Sequence, residues 1–172
     1  MASLDTSMAI LPDDFRRTLG HFATGVTVVT VATPEGGVHG MTANAFSAVS
    51  LTPPLVLVCV GLNARTHNLL PQRARFGVAV LREDQEAVAR YFATTEQKQD
   101  AAERLGVRFT ITPQGAPLLE GALAQMECSL AASHLAGDHT IFIGQVEQAN
   151  FSEGRPLLFY RGQFCGLGST GL

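Results

Sequence analysis

The sequence predicts a mainly β domain, an antiparallel barrel with flanking helices packed outside it. Three observations predict this. About seven stretches read as strands by composition and alternation. These stretches follow one another in two blocks and do not alternate regularly with helices, which argues against a doubly wound parallel sheet. Two long, hairpin-like connections then favour closure of the sheet.

The elements come in order. Met1 to Leu11 is a flexible N-terminal segment, and a single domain is expected over 12–168. Pro12-Asp13-Asp14 opens a helix with Phe15, Leu19 and Phe22 on one face, ended by Thr24-Gly25. Val26 to Thr33 is a β-branched strand whose alternating Thr and Val imply one polar and one apolar face. Pro34 to Gly37 is a turn, and Val38 to Met41 and Ala45 to Leu51 are strands around a polar corner, Thr42-Ala43-Asn44. After the break at Pro53-Pro54, the wholly apolar run Leu55 to Val60 reads as a strand buried on both faces.

Thr66 to Leu70 is a short helix and Arg75 to Leu81 a strand. Glu83 to Leu105 reads as helical, with acidic residues in its first turn and an apolar patch of Val88, Tyr91 and Phe92. Val107 to Thr112 is extended and Pro113 to Pro117 a loop. Ala122 to His134 and Thr140 to Phe151 are long strands joined by residues 135–139, and Leu157 to Leu167 is the last strand.

Composition narrows the function classes. The chain has 172 residues, 46% of them hydrophobic and 16% charged, with a net charge of −3. That charge gives no reason to expect nucleic acid or an anionic membrane as a partner. No run of eighteen apolar residues is present, and the N-terminus lacks the basic and apolar regions of a secretory signal. Cys59, Cys128 and Cys165 are odd in number and widely spaced, which fits neither a disulfide framework nor a zinc site. A reducing cytoplasm is the simple inference. His134 and His139 stand close across one hairpin and could pair on a metal, but no third plausible ligand accompanies them, so no metal is expected. The apolar surplus suits a subunit interface.

The sequence lacks GxGxxG after a strand, GxxxxGK[ST], HExxH and GxSxG. Four polar clusters remain. Thr42-Ala43-Asn44-Ala45-Phe46-Ser47 offers hydroxyls, an amide and backbone N–H groups suited to a phosphate or a polar ring edge; the plain alternative is a solvated corner. Arg65-Thr66 at a helix start suits an anion, or Thr66 is an ordinary cap. Gly137-Asp138-His139-Thr140 places a histidine at a hairpin mouth, facing a ligand or merely water. Tyr160-Arg161-Gly162 offers a ring to stack and a cation for phosphate, or a strand with a snorkelling cation. All four lie at strand ends or turns, where a barrel presents side chains to a ligand.

Five segments together carry a resemblance: Thr24-Gly25-Val26-Thr27-Val28-Val29-Thr30, Gly40 to Ser47, Pro53 to Val58, Gly137 to Thr140, and Pro156 to Gly162. In this order and spacing they closely resemble the short-chain flavin reductases, the reductase components of two-component flavin-dependent monooxygenases. The resemblance runs from about Asp13 to Gly166. It implies an antiparallel split β-barrel, also called the FMN-binding split barrel. It also implies a homodimer with flavin near the interface and a monooxygenase component as partner. Reduction of FMN or FAD by NADH or NADPH, with hydride passing to flavin N5, is the implied activity.

The resemblance also assigns residues. Thr42, Ala43, Asn44, Ala45 and Ser47 match the flavin-binding segment, and Val58, Cys59 and Val60 the strand whose backbone lies along the flavin. Arg65 and Thr66 match the phosphate-holding region, His139 the histidine near the nicotinamide, and Tyr160 and Arg161 the closure of the cofactor pocket. Ala45 stands where many relatives have serine, which removes one hydroxyl, and Cys165 has no assigned role. No arginine cluster in the sequence marks a 2′-phosphate site, so NADH is favoured. Two other classes compete: a flavin- or haem-binding barrel without reductase turnover, and an interaction protein whose apolar surplus serves assembly alone. NADH oxidation with added FMN separates them.

Overall fold

The computed structural model describes residues 10–168, so most of the expected flexible segment lies outside the described residues. The chain begins with helix α1 (Pro12–Leu19) and strands β1 (Thr24–Gly25), β2 (Thr27–Ala32), β3 (Val38–Ala43), β4 (Phe46–Leu51) and β5 (Pro54–Gly61). Then come α2 (Arg65–Arg73), β6 (Arg75–Val80), a 3-10 turn at Glu83–Gln85, α3 (Glu86–Phe92) and α4 (Gln99–Arg104). The remainder is β7 (Phe109–Ile111), β8 (Pro117–Leu119), β9 (Ala124–Ala136), β10 (His139–Phe151), β11 (Leu157–Tyr160) and β12 (Gln163–Gly166). No helix among these residues is long and apolar enough to cross a membrane.

Seven strands form one antiparallel sheet in the order β3-β2-β6-β9-β10-β5-β4. The two edge strands, β3 and β4, are consecutive in the chain and joined only by Asn44 and Ala45. The sheet does not close on itself, so the closure expected from the hairpin connections is absent, and the open sheet is consistent with the split barrel that the resemblance implies. A three-stranded sheet, β1-β11-β12, and a β7-β8 hairpin complete it.

Two apolar cores result, and β2 separates them. Val29 and Val31 point into the barrel with Val58, Val60, Leu70, Phe76 and Phe142. Val26 and Val28, on the opposite face, pack with Leu81, Val88, Phe92, Leu119 and Leu157. The two-residue side-chain period of a strand divides them in this way. Thr27 and Thr30 are buried as well, at 3% and 1% exposure. Their hydroxyls donate to the carbonyls of Ala43 and Pro117, which removes the cost of burying them.

Several expected elements differ. β2 is buried on both faces, so its threonines do not mark a solvated face. β5, expected to be buried on both, alternates: Val56, Val58 and Val60 are buried while Leu55, Leu57 and Cys59 are half-buried. Helix α1 buries none of its residues, so Phe15 and Leu19 remain exposed. Helix α2 runs through Pro71 to Arg73, three residues past the expected end. The expected long helix over 83–105 breaks at residues 93–98, where the Thr94 hydroxyl donates to the Tyr91 carbonyl and takes over the helix end.

The expected last strand is a hairpin. Arg161 and Gly162 form its two-residue loop with φ of 50° and 79°, the signature of a type I′ turn. Arginine at a positive φ is uncommon, so Gly162 alone signals the turn in the sequence.

Candidate functional site

The bend between the two edge strands is fixed by three hydrogen bonds. The Thr42 hydroxyl donates to the Ala89 carbonyl of α3 at 2.7 Å. The Thr27 hydroxyl donates to the Ala43 carbonyl at 2.7 Å, and the Cys59 N–H to the Ala45 carbonyl at 3.0 Å. Thr42 and Ala43 are therefore strand residues with their polar groups engaged, and the polar corner contracts to Asn44 and Ala45. Asn44, Ala45 and Ser47 are exposed, and the Ser47 hydroxyl bonds only locally, to the Ala48 carbonyl at 3.1 Å.

A groove follows the outer edge of β3. At one end, a cleft of about 270 Å³ lies between β3 (His39, Gly40, Met41), the start of α2 (Ala64, Arg65, Thr66) and residues 92–97. At the other, a cleft of about 150 Å³ is lined by Val26, Thr42, Asn44, Ala93, Phe159 and Phe164. Ala93 lines both, so the two clefts adjoin. The five steps from His39 to Asn44 span about 17 Å at the usual rise of a strand. Gln97 defines the far wall: its side-chain amide donates to the Gly40 carbonyl at 2.6 Å and accepts from the Gly40 N–H at 3.4 Å. It stands in for the strand that the sheet edge lacks.

Polar groups without protein partners lie at both ends. The Thr66 hydroxyl is buried on a residue 0% exposed, lines the larger cleft and has no hydrogen-bond partner among the described residues. The Thr24 hydroxyl is likewise buried without a partner, in a neighbouring cleft shared with Asn44 and Phe22. Buried unsatisfied hydroxyls are costly, and a ligand that accepts from them removes the cost. Arg65 is exposed, and among the described residues its ion pair is with Glu35, at 3.7 Å, a weak surface pair that an anion could displace. His39, in the same cleft, is held below its ordinary value by burial first and by the Arg65 charge second.

His139 begins β10 directly after the Gly137-Asp138 turn and pairs with Gly61. The Asp138 carboxylate lies 2.7 Å from His139 Nδ1. A carboxylate only accepts, so Nδ1 carries a proton, and Nε2 is left unengaged by Asp138. The same hydrogen bond is the main cause holding the Asp138 carboxyl below the usual carboxylate range. A Cβ on Gly61 would stand 3.7 Å from His139 Nε2, so the ring lies against Gly61.

The predicted residues are thus gathered only in part. Ala45 and His139 flank the same end of β5, bonded to or paired with Cys59 and Gly61. Asn44 lines two clefts, and His139 lines neither of them. Val58 and Val60 point into the barrel core, while the half-buried side chain of Cys59 lies on the other face of β5. Tyr160 stands at the end of β11 with its ring edge toward His21 at 6.3 Å, and Arg161 lines a separate cavity beside α1. Thr24, His39, Ala93, Gln97, Phe159 and Phe164 belong to the clefts and escaped the residue-by-residue reading. Thr24 and Phe159 lie inside the segments that carried the resemblance; for the others the sequence holds no local signal.

Comparison with known proteins agrees with this architecture. An NADH-dependent flavin reductase from a Rhodococcus species is 46% identical over 160 residues, covering 92% of this chain and 88% of that protein. The reductase subunit of a flavin-dependent monooxygenase from Rhodococcus jostii is 40% identical over 160 residues, covering 92% of this chain and 80% of that protein. The Streptomyces globisporus NADH:FAD oxidoreductase, solved in complex with NAD and FAD fragments, superposes with a TM-score of 0.84 at 40% identity, covering 96% of this chain and 99% of that one. The flavin reductase like domain matches residues 19–168, and with nearly all of the described fold inside that match, the chain belongs to the flavin reductase like domain family.

Proposed function

We propose that the protein is a flavin reductase: it binds FMN or FAD and reduces it with NADH, supplying reduced flavin to a flavin-dependent monooxygenase. The observation that carries this reading is the groove along β3, which joins an exposed amide at Asn44 to a buried, unpartnered hydroxyl at Thr66 beside Arg65. Its length and polarity suit a tricyclic ring at one end and a phosphate at the other.

When bound, the flavin supplies the hydride acceptor and the reduced nicotinamide the hydride. The chain's residues bind and orient. The Thr66 hydroxyl and the Arg65 guanidinium hold the phosphate by charge-assisted hydrogen bonds. Asn44 presents its amide to the polar edge of the ring, with Phe159 and Phe164 as apolar walls. His139, its tautomer fixed by Asp138, positions the nicotinamide through Nε2, a contribution to orientation and not to proton transfer.

The protein also acts as a homodimer in this reading. Phe15, Leu19, Phe22, Leu51, Leu135 and Phe151 are large apolar side chains at 50% to 92% exposure, which a second subunit could cover. The half-buried outer face of β5 is of the same kind. A second subunit also supplies a way for His139 and the Asn44 cleft to serve one site. The cytoplasm, where NADH is made, is the compartment the reading requires.

The test is steady-state oxidation of NADH and NADPH crossed against FMN, FAD and riboflavin, with the oligomeric state measured by light scattering. Flavin-dependent loss of the nicotinamide absorbance by a dimer is expected. Tight flavin binding without turnover would replace this reading with that of a binding module.

A further inference from the structure

One large cavity takes no part in the groove along β3. It has a volume of about 390 Å³ and lies between α1 and the turn joining β11 to β12. Its wall is formed by Arg16, Arg17, Gly20, His21, Arg161 and Gly162. Three guanidinium groups and an imidazole therefore share one concavity with no carboxylate in its lining among the described residues, on a chain whose net charge is −3. Arg16 is partly neutralised by Asp13 at 3.1 Å, with both side chains well exposed. Arg17 and Arg161 make no ion pair among the described residues. Like charges gathered in this way repel, and an anion in their midst reverses the sign of the interaction.

The cavity is built and not incidental. The Arg161 N–H donates to the Gly20 carbonyl at 2.8 Å, which docks the hairpin turn on the end of α1. A Cβ on Gly20 would lie 3.5 Å from Arg161 Cα, so the two backbones are in close contact. That docking holds Arg161 at a φ of 50°, a conformation arginine rarely adopts, and sets it beside Arg16 and Arg17.

Two links tie the cavity to the proposed site. The Arg16 charge is among the causes that lower the Asp138 carboxyl, after the larger effect of the His139 hydrogen bond. Arg16 therefore lies within electrostatic reach of the hairpin tip that carries His139. In addition, His21 in this cavity is followed directly by Phe22, which lines the cleft of Thr24 and Asn44.

We propose that this cavity is a phosphate-binding subsite for the dinucleotide portion of the nicotinamide cofactor, with Arg17 and Arg161 as its principal donors. The proposal rests on the flavin reductase reading and adds to it a second anion site, distinct from the one at Thr66 and Arg65. The sequence shows no arginine cluster because the fold assembles this one from residues 16–17 and 161. The chemistry recognised is a phosphate ester, available from two sources: the diphosphate bridge common to NADH and NADPH, and the 2′-phosphate of NADPH alone.

The experiment uses the full chain and two variants, Arg17→Gln and Arg161→Asn. Asparagine tolerates the left-handed backbone that Arg161 occupies, so the turn is kept. Calorimetry gives the Kd of ADP-ribose, adenosine 2′,5′-bisphosphate and FMN, and kinetics give the KM of NADH and NADPH. Each variant is expected to weaken nucleotide binding by about tenfold while FMN affinity changes less than about twofold. Arg161→Lys, which keeps the charge, is expected to recover part of the loss. A loss shared by ADP-ribose and both nicotinamides assigns the diphosphate; a loss confined to the bisphosphate and NADPH assigns the 2′-phosphate. Unchanged nucleotide affinity in both variants, or a loss of FMN affinity alone, overturns the proposal. Nucleotide binding that depends on these arginines, in a protein that oxidises no NADH with any flavin, would sink the functional reading and leave the subsite standing.

Discussion

The Phe92 ring occupies the space in which a side chain on Gly40 would lie: a Cβ there would stand 2.5 Å from Phe92 Cδ1 and Cε1. This contact seats α3 against the edge strand and holds residues 93–97 over the groove. Gly40→Ala forces the ring, only 3% exposed, out of a packed core. A destabilisation of about 1–3 kcal/mol is expected from overpacking. Thermal unfolding should show a lower Tm, and titration with FMN a weaker Kd, because the groove loses its wall.

Thr66→Val separates binding from stability. The hydroxyl has no protein partner, so its removal relieves a buried, unsatisfied group and should stabilise the free protein by about 1 kcal/mol. If Thr66 holds the flavin phosphate, FMN affinity falls by about tenfold, while riboflavin, which lacks the phosphate, binds as before. A raised Tm together with a selective loss of FMN binding is the expected signature. Equal losses for FMN and riboflavin would place the phosphate elsewhere.

His139→Ala is expected to raise KM for NADH about tenfold and to lower kcat by less than about threefold, the pattern of a positioning group. Asp138→Asn should shift KM in the same direction by less, since the ring remains but its Nδ1 proton is no longer fixed. A large fall in kcat with unchanged KM would put His139 in the chemical step.

Stability should decline as the solution is made mildly acidic, and His39 contributes to that decline. Burial, followed by the Arg65 charge, holds its folded value below the ordinary 6.5. The unfolded chain therefore takes up the proton first. The contribution of neutral His39 is complete above pH 6.5 and is lost as pH falls through the lower, folded value. Urea midpoints measured from about pH 7.5 to pH 5 should fall less steeply for His39→Gln than for the wild type. An identical slope would show that His39 is solvated in the folded protein.

Much of the fold was legible because strands advertise themselves locally. β-branched runs, the Pro53-Pro54 break and the Gly137-Asp138 turn located most elements of the main sheet. The clearest errors concern burial. Thr27 and Thr30 read as a polar face yet lie in the centre, since Ala43 and Pro117 supply acceptors from distant segments. Leu55, Leu57 and Cys59 read as core yet are half-buried, because among the described residues that side of β5 is only partly covered.

By itself the sequence determined a mainly β domain, the succession of most of its strands along the chain, and the polar breaks at Asn44 and His139. Tertiary structure alone decided that β3 would be an open edge with a groove along it, that Thr66 would be buried without a partner, and that Arg16, Arg17 and Arg161 would share a cavity. The reason is physical. Periodicity records the polarity of a strand's two faces, whereas what packs on each face, and which charges meet there, is set by segments far apart in the chain.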